Sequence, residues 1–279
     1  MKKQITLWIR RGLLAFALIC GLVTMYRTIE SIGGTESYDL AEEIAFQQEE
    51  NPVRETTAKE QPVAETQPQQ VQAQKWVPEP LPEDDEYFEK MQSVDLAALR
   101  EVNPEVIGWI YVPGTHINYP IMQGEDNEFY LKHTWQNVKN TVGAIFMECR
   151  NYPDFADFNT ILYGHNMRNN SMFGDLDQFK GAWFASRTPY VYVANDEGTF
   201  RYEVFSYHSA PVDSFVYGVS FNQRDTRENF IAAAIEACED DLGIVPAYTD
   251  RILTLSTCTG STHENRWVVH ARLKMVRVE

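Results

Sequence analysis

Eight short β-prone runs, each closed by a turn signal, set the limits on what residues 107–275 can fold into. They fall at 107–112, 117–121, 142–147, 160–163, 190–193, 199–209, 252–257 and 267–275. A Pro113-Gly114 turn makes the first two a hairpin-like pair. So many short strands at such spacing predict a mainly β domain, either a closed barrel or a sandwich. Helical pattern is sparse. A capped amphipathic helix is expected from Ser93 to Arg100, ending near Asn103-Pro104, with further helices at 172–179 and 227–238.

The chain before residue 85 reads differently. Residues 1–32 carry five Lys or Arg against one Glu, and an uncharged apolar run extends from Gly12 to Tyr26. A basic flank before an apolar stretch predicts a membrane anchor with a cytoplasmic N-terminus and an extracellular C-terminal domain. The run itself is short of the roughly 20 residues that span a bilayer, so Ile5, Leu7, Trp8 and Ile9 would have to extend it. Residues 33–84 are rich in Glu, Gln, Thr and Pro and predict a flexible, acidic linker. That leaves 85–279 as the folded domain. The formal charge of −16 argues against a nucleic-acid partner, because phosphate binding needs a basic face.

Chemistry concentrates at the ends of the expected strands. Cys258 closes the run Thr254-Leu255-Ser256-Thr257-Cys258, and polar Thr259, Gly260 and Ser261 come directly after it. The other cysteines, at 20, 149 and 238, form no CxxC pair, so neither a zinc knuckle nor a dithiol redox motif is supported. Cys149 and Cys238 read as small buried hydrophobes. His165 follows Gly164 at the end of Ile161-Leu162-Tyr163, with a polar Asn-Met-Arg-Asn-Asn run after it. His263 is its rival as proton carrier, by closeness to Cys258 in sequence. Arg266 opens the strand after the Cys258 loop, and its planar fork of donors suits a developing oxyanion. A thiol, an imidazole and a guanidinium at strand ends suit nucleophilic acyl transfer. No P-loop, GxGxxG or HExxH motif is present.

Tyr163-Gly164-His165-Asn166-Met167, Thr254 to Cys258 and Arg266 together resemble the catalytic segments of a sortase. Asn103 to Thr115, Tyr119-Pro120 and Asp126-Asn127-Glu128-Phe129-Tyr130-Leu131 resemble class B sortases in particular. The resemblance implies a closed eight-stranded β-barrel with N-terminal helices and a helix in the loop before the cysteine strand. It implies Cys258 as nucleophile, His165 as proton carrier and Arg266 as oxyanion donor, with no metal or cofactor. The substrate would be the C-terminal sorting signal of a surface protein, cleaved after Thr, and the acceptor an amine of a peptidoglycan precursor. Ser256, Asn127 and Leu131 match positions lining the substrate groove. Thr259 stands where some class B members carry an acidic residue, which leaves the sorting motif open. Two alternatives share this resemblance: a sortase that polymerises pilins, and a non-catalytic, membrane-tethered binding module.

Overall fold

The structure is a computed structural model that describes residues 16, 19–21, 23–25, 33–47, 85–258 and 264–277. Eight strands close into a barrel in the order β1-β2-β3-β4-β7-β8-β6-β5. They are β1 (Val106–Tyr111), β2 (Asn118–Met122), β3 (Ile145–Met147), β4 (Asn159–Gly164), β5 (Tyr190–Asn195), β6 (Gly198–Pro211), β7 (Ile252–Cys258) and β8 (Asn265–Arg277). Each lies on one of the eight expected runs, and the closed form decides between barrel and sandwich. β2 and β3 pair in parallel, as do β4 and β7, and the other neighbours are antiparallel.

Strand alternation sorts the side chains. Trp109, Ile121, Phe146, Leu162, Val193, Tyr202, Leu255 and Val269, one from each strand, join a single buried core. On β7 the intervening residues Thr254 and Ser256 are also buried but stand outside that core. The long β6–β8 ribbon shifts register between Arg201 and Tyr202 and again between Val204 and Ser206. Such bulges bend a strand and let it wrap a barrel.

Helices cover the outside. α1 (33–45) and α2 (Glu86–Gln92) precede α3 (Leu96–Val102). Asp85 caps α2 by accepting from the Phe88 N–H, and its carboxylate also takes the Arg201 guanidinium at 2.7 Å. Asp95 caps α3 in the same way, through the Ala98 N–H. α4 (Ala182–Arg187) comes after a 3-10 segment, Gly174–Phe179, which stands in place of the helix expected over 172–179. α5 (Arg224–Ala237) lies in the β6–β7 connection and buries Phe230, Ile231 and Ala234 against Phe158, Phe205 and Ile252.

Two expectations from the N-terminal composition need correction. The single-pass membrane localisation does not stand: among the described residues no helix is long and apolar enough to cross a membrane. The run from Gly12 to Tyr26 is too short on its own, Arg10 and Arg11 separate it from the apolar residues before it, and most of 1–32 lies outside the described residues. The linker expected at 33–84 fails at its start, because 33–45 is helical and packed on the barrel. Tyr38, Ala41 and Ala45 are buried at helical spacing, a stripe that the surrounding Glu and Thr residues mask in average composition. Residues 48–84 lie outside the described residues.

Beneath α5 sits a buried histidine pair. His208 and His270 have ring centroids 5.2 Å apart, with Phe205, Phe215 and Phe230 around them. The Thr254 hydroxyl donates to Asn159, so the His270 Nδ1–H donates to Thr254 Oγ1 at 2.9 Å. Neither Nε2 has a hydrogen-bond partner among the described residues. Burial pushes His208 down to about 4, and burial with the neighbouring His208 ring takes His270 well below its ordinary range. Both are therefore neutral when folded. The unfolded chain takes up protons below pH 6.5 that the folded chain refuses, so stability is full above that pH and falls toward pH 4. For His208 alone the loss at pH 5 is on the order of 2 kcal/mol. Urea unfolding at pH 7.5 and pH 5 should reveal this loss, and His208→Phe should cut it by about half, leaving the His270 share. Equal stability of the unaltered chain at both pH values would refute the assignment.

Candidate active site

β4 and β7 run in parallel with Gly164 opposite Thr257, so both strands end on the same rim of the barrel. β4 continues into His165, while β7 ends at Cys258, which pairs across the antiparallel β7–β8 ladder with Arg266. The end of β4 and the β7–β8 pair, about ninety residues apart in sequence, thus meet at one place. A cleft of about 170 Å³ opens there, lined by Asn127, Leu131, Phe146, Tyr163, Gly164, His165, Ser256, Thr257 and Arg266.

Local packing holds the His165 ring. A Cβ on Gly164 would lie 2.5 Å from Ile145 Cδ1 and 2.8 Å from Phe173 Cγ, so the packing leaves no room for a side chain there. The His165 carbonyl accepts the Phe173 N–H at 3.0 Å. At the ring, Nε2 stands 2.7 Å from the Leu131 carbonyl oxygen. A carbonyl only accepts, so Nε2 carries hydrogen and Nδ1 is left as the nitrogen that gains and loses a proton. Gly143 closes the other side, with φ of 66° and a would-be Cβ 3.0 Å from His165 Cδ2.

The remaining expected residues take different parts. Ser256 is buried and its Oγ lies 3.1 Å from the Tyr217 hydroxyl. Leu131 lines the cleft and also supplies the carbonyl that holds His165. Asn127 lines it too, but its amide is engaged: Nδ2 donates to Glu148 and Oδ1 accepts the Cys149 N–H, each at 2.8 Å. Arg266 is partly exposed, and Nη1 reaches the Asn265 carbonyl at 3.3 Å. Thr259 and His263 lie outside the described residues. No group of three or more His, Cys, Asp or Glu among the described residues is placed to hold a metal ion.

Glu148 has no counterpart among the expected residues. It sits at the end of β3, 1% exposed, and its carboxylate accepts from Asn127, from the Tyr163 hydroxyl at 2.9 Å and from Arg150 Nε at 2.6 Å. Burial alone would raise its pKa, but these donors outweigh burial and hold it at about 2. The same carboxylate works against the neighbouring thiol. Burial and Glu148 both push Cys149 up, which makes it a poor nucleophile. Tyr217 gives no sequence signal either, because it lies in the irregular β6–β7 connection. Glu148→Ala is expected to cost about 2–4 kcal/mol in urea unfolding, since Asn127 and Tyr163 lose an ionised acceptor. Glu148→Gln should lose less than half of that, and an Ala variant as stable as the parent would discount the carboxylate.

Known proteins share this arrangement. The sortase domain matches residues 110–274. Sortase B of Listeria monocytogenes is 32% identical over 181 residues, covering 64% of this chain and 74% of that protein. The solved Clostridium perfringens sortase B superposes with a TM-score of 0.61 at 32% identity, covering 64% of this chain and 99% of that one. A Staphylococcus aureus sortase B–substrate complex gives 0.62 at 28% identity, covering 68% and 87%. Barrel topology, the strand ends that meet at the cleft, and these similarities agree: the chain belongs to the sortase family of cysteine transpeptidases, and within it to class B.

Proposed function

We propose that this transpeptidase cleaves a C-terminal sorting signal after Thr and transfers the acyl group to an amine of a cell-wall precursor. Cys258 is the nucleophile: its thiolate forms a bond to the Thr carbonyl carbon and the carbonyl π electrons move onto oxygen. Arg266 stabilises that oxyanion. Collapse expels the amine of the next residue, which takes its proton from His165 Nδ1, and a thioester remains. The acceptor amine then attacks the thioester, His165 takes up the amine proton, and the Cys258 thiolate leaves.

The observation that carries this reading is the register at the rim, with Gly164 opposite Thr257 and Cys258 opposite Arg266. It brings the segments proposed for the three roles to the border of one cleft. Ser256, Leu131 and Asn127, with Thr259, form the substrate-binding set, Asn127 through its placement on the Glu148 carboxylate. That a class B relative has been solved as a substrate complex supports a peptide occupant here.

The test incubates the full chain with peptides of NPxTx and LPxTG type plus a primary amine, read by mass spectrometry. The expected product joins the amine to the Thr carbonyl. Cys258→Ala should abolish it, and Arg266→Ala should slow it by about 10²–10³-fold, the scale of a lost oxyanion donor. Cleavage without amine incorporation would make the chain a hydrolase, and a near-neutral Arg266→Ala would remove that residue from its role.

A further inference from the structure

α1 lies outside the matched sortase domain, yet it touches one segment that brackets His165 directly and the other through Tyr119. We propose that Tyr38 on α1 is a positioning residue for the His165 imidazole. This inference rests on His165 being the proton carrier.

Tyr38 is 4% exposed and its hydroxyl donates to the Gly143 carbonyl. Burial raises the phenol far above its ordinary value, so it stays a donor. Gly143 is packed tightly against the His165 pocket. Besides the His165 ring, its would-be Cβ meets Tyr130 O at 2.7 Å and Leu131 O at 3.1 Å. Leu131 O is the acceptor for His165 Nε2, so a shift of Gly143 moves both the wall of the ring and its hydrogen-bond partner.

The second contact reaches the other flank. The Tyr38 ring packs edge-on against Tyr119, with centroids 5.2 Å apart. The Tyr119 hydroxyl accepts the Met172 N–H at 3.2 Å, and Met172 is held at a φ of 54°. The next residue, Phe173, donates to the His165 carbonyl. Tyr38 therefore bonds the backbone on one side of the ring directly and braces the other side through Tyr119.

α1 is also pinned independently of Tyr38. Trp135 Nε1 donates to the Ser37 carbonyl at 2.8 Å, and Ser37 Oγ donates to Gln136 at 2.7 Å. Gly34 lies so close to Val142 that a Cβ would come within 2.7 Å of it. With the helix fixed at these points, the Tyr38 hydroxyl can set the position of Gly143 rather than adjust to it.

The test compares the full chain with Tyr38→Phe, which keeps the packing and deletes one hydroxyl. Expected are a kcat lowered about five- to tenfold, the rate equivalent of one lost hydrogen bond, a KM within about twofold, and a thermal midpoint within a few degrees. The ¹⁵N signals of the His165 ring, assigned through His165→Gln, should move away from the Nε2–H pattern. Gly34→Val, which wedges α1 outward, should move them the same way. Unmoved His165 signals in Tyr38→Phe overturn the proposal, whatever happens to turnover. Retained turnover in His165→Ala would instead sink the proposed function, and the ring signals would still decide the role of Tyr38.

Discussion

Parallel pairing of β4 with β7 is the constraint on which the site depends. From Asn159 opposite Ile252 to Gly164 opposite Thr257 the two strands run in the same direction, so both C-terminal ends emerge on the same rim. Antiparallel neighbours would have put those two ends on opposite rims, a strand length of roughly 20 Å apart. β8 then turns back beside β7 and delivers Arg266 opposite Cys258. A parallel pair cannot be joined by a tight turn. Here the connection between β4 and β7 includes β5, β6 and α5, and α5 packs back on the sheet through Phe230 and Ile231.

A second layer keeps that rim in shape. Glu148 gathers Asn127 from the loop before β3 and Tyr163 from β4 onto one ionised carboxylate, so two sides of the cleft share an acceptor. Polar residues on the outward face of β7 do related work. Thr254 ties Asn159 to His270, and Asn159 in turn donates to the Val216 and Gly218 carbonyls, which fixes the segment carrying Tyr217 beside Ser256. Buried polar networks of this kind stabilise only when their members are satisfied. The two bare Nε2 atoms mark where this network is least tolerant of added protons.

Legibility from sequence tracked the range of the interactions. Strands were readable because each is a local run of β-branched and aromatic residues, and all eight lie where such runs occur. His165, Cys258 and Arg266 stood out as candidates because each stands at a run's end beside glycine or polar residues. Glu148 could not, since its role comes from Asn127, Tyr163 and Arg150 converging on it, and only Arg150 is near in sequence. Average composition misled at α1. Acidic and polar residues there imply a solvated linker, whereas three buried positions at helical spacing suffice to dock it.

That docking changes where the functional unit begins. The sortase domain match starts at Ile110, inside β1, but the backbone around His165 is not closed by that region alone. Trp135 gives its indole N–H to Ser37, Gly143 gives its carbonyl to Tyr38, and the Asp95 N–H at the start of α3 is taken by the Ala45 carbonyl. Each of these groups is buried or partly buried, and leaving such a donor or acceptor without a partner costs about 1–3 kcal/mol. α1 therefore satisfies the Gly143 carbonyl beside His165, together with the Trp135 indole and the start of α3, which the matched region does not complete by itself.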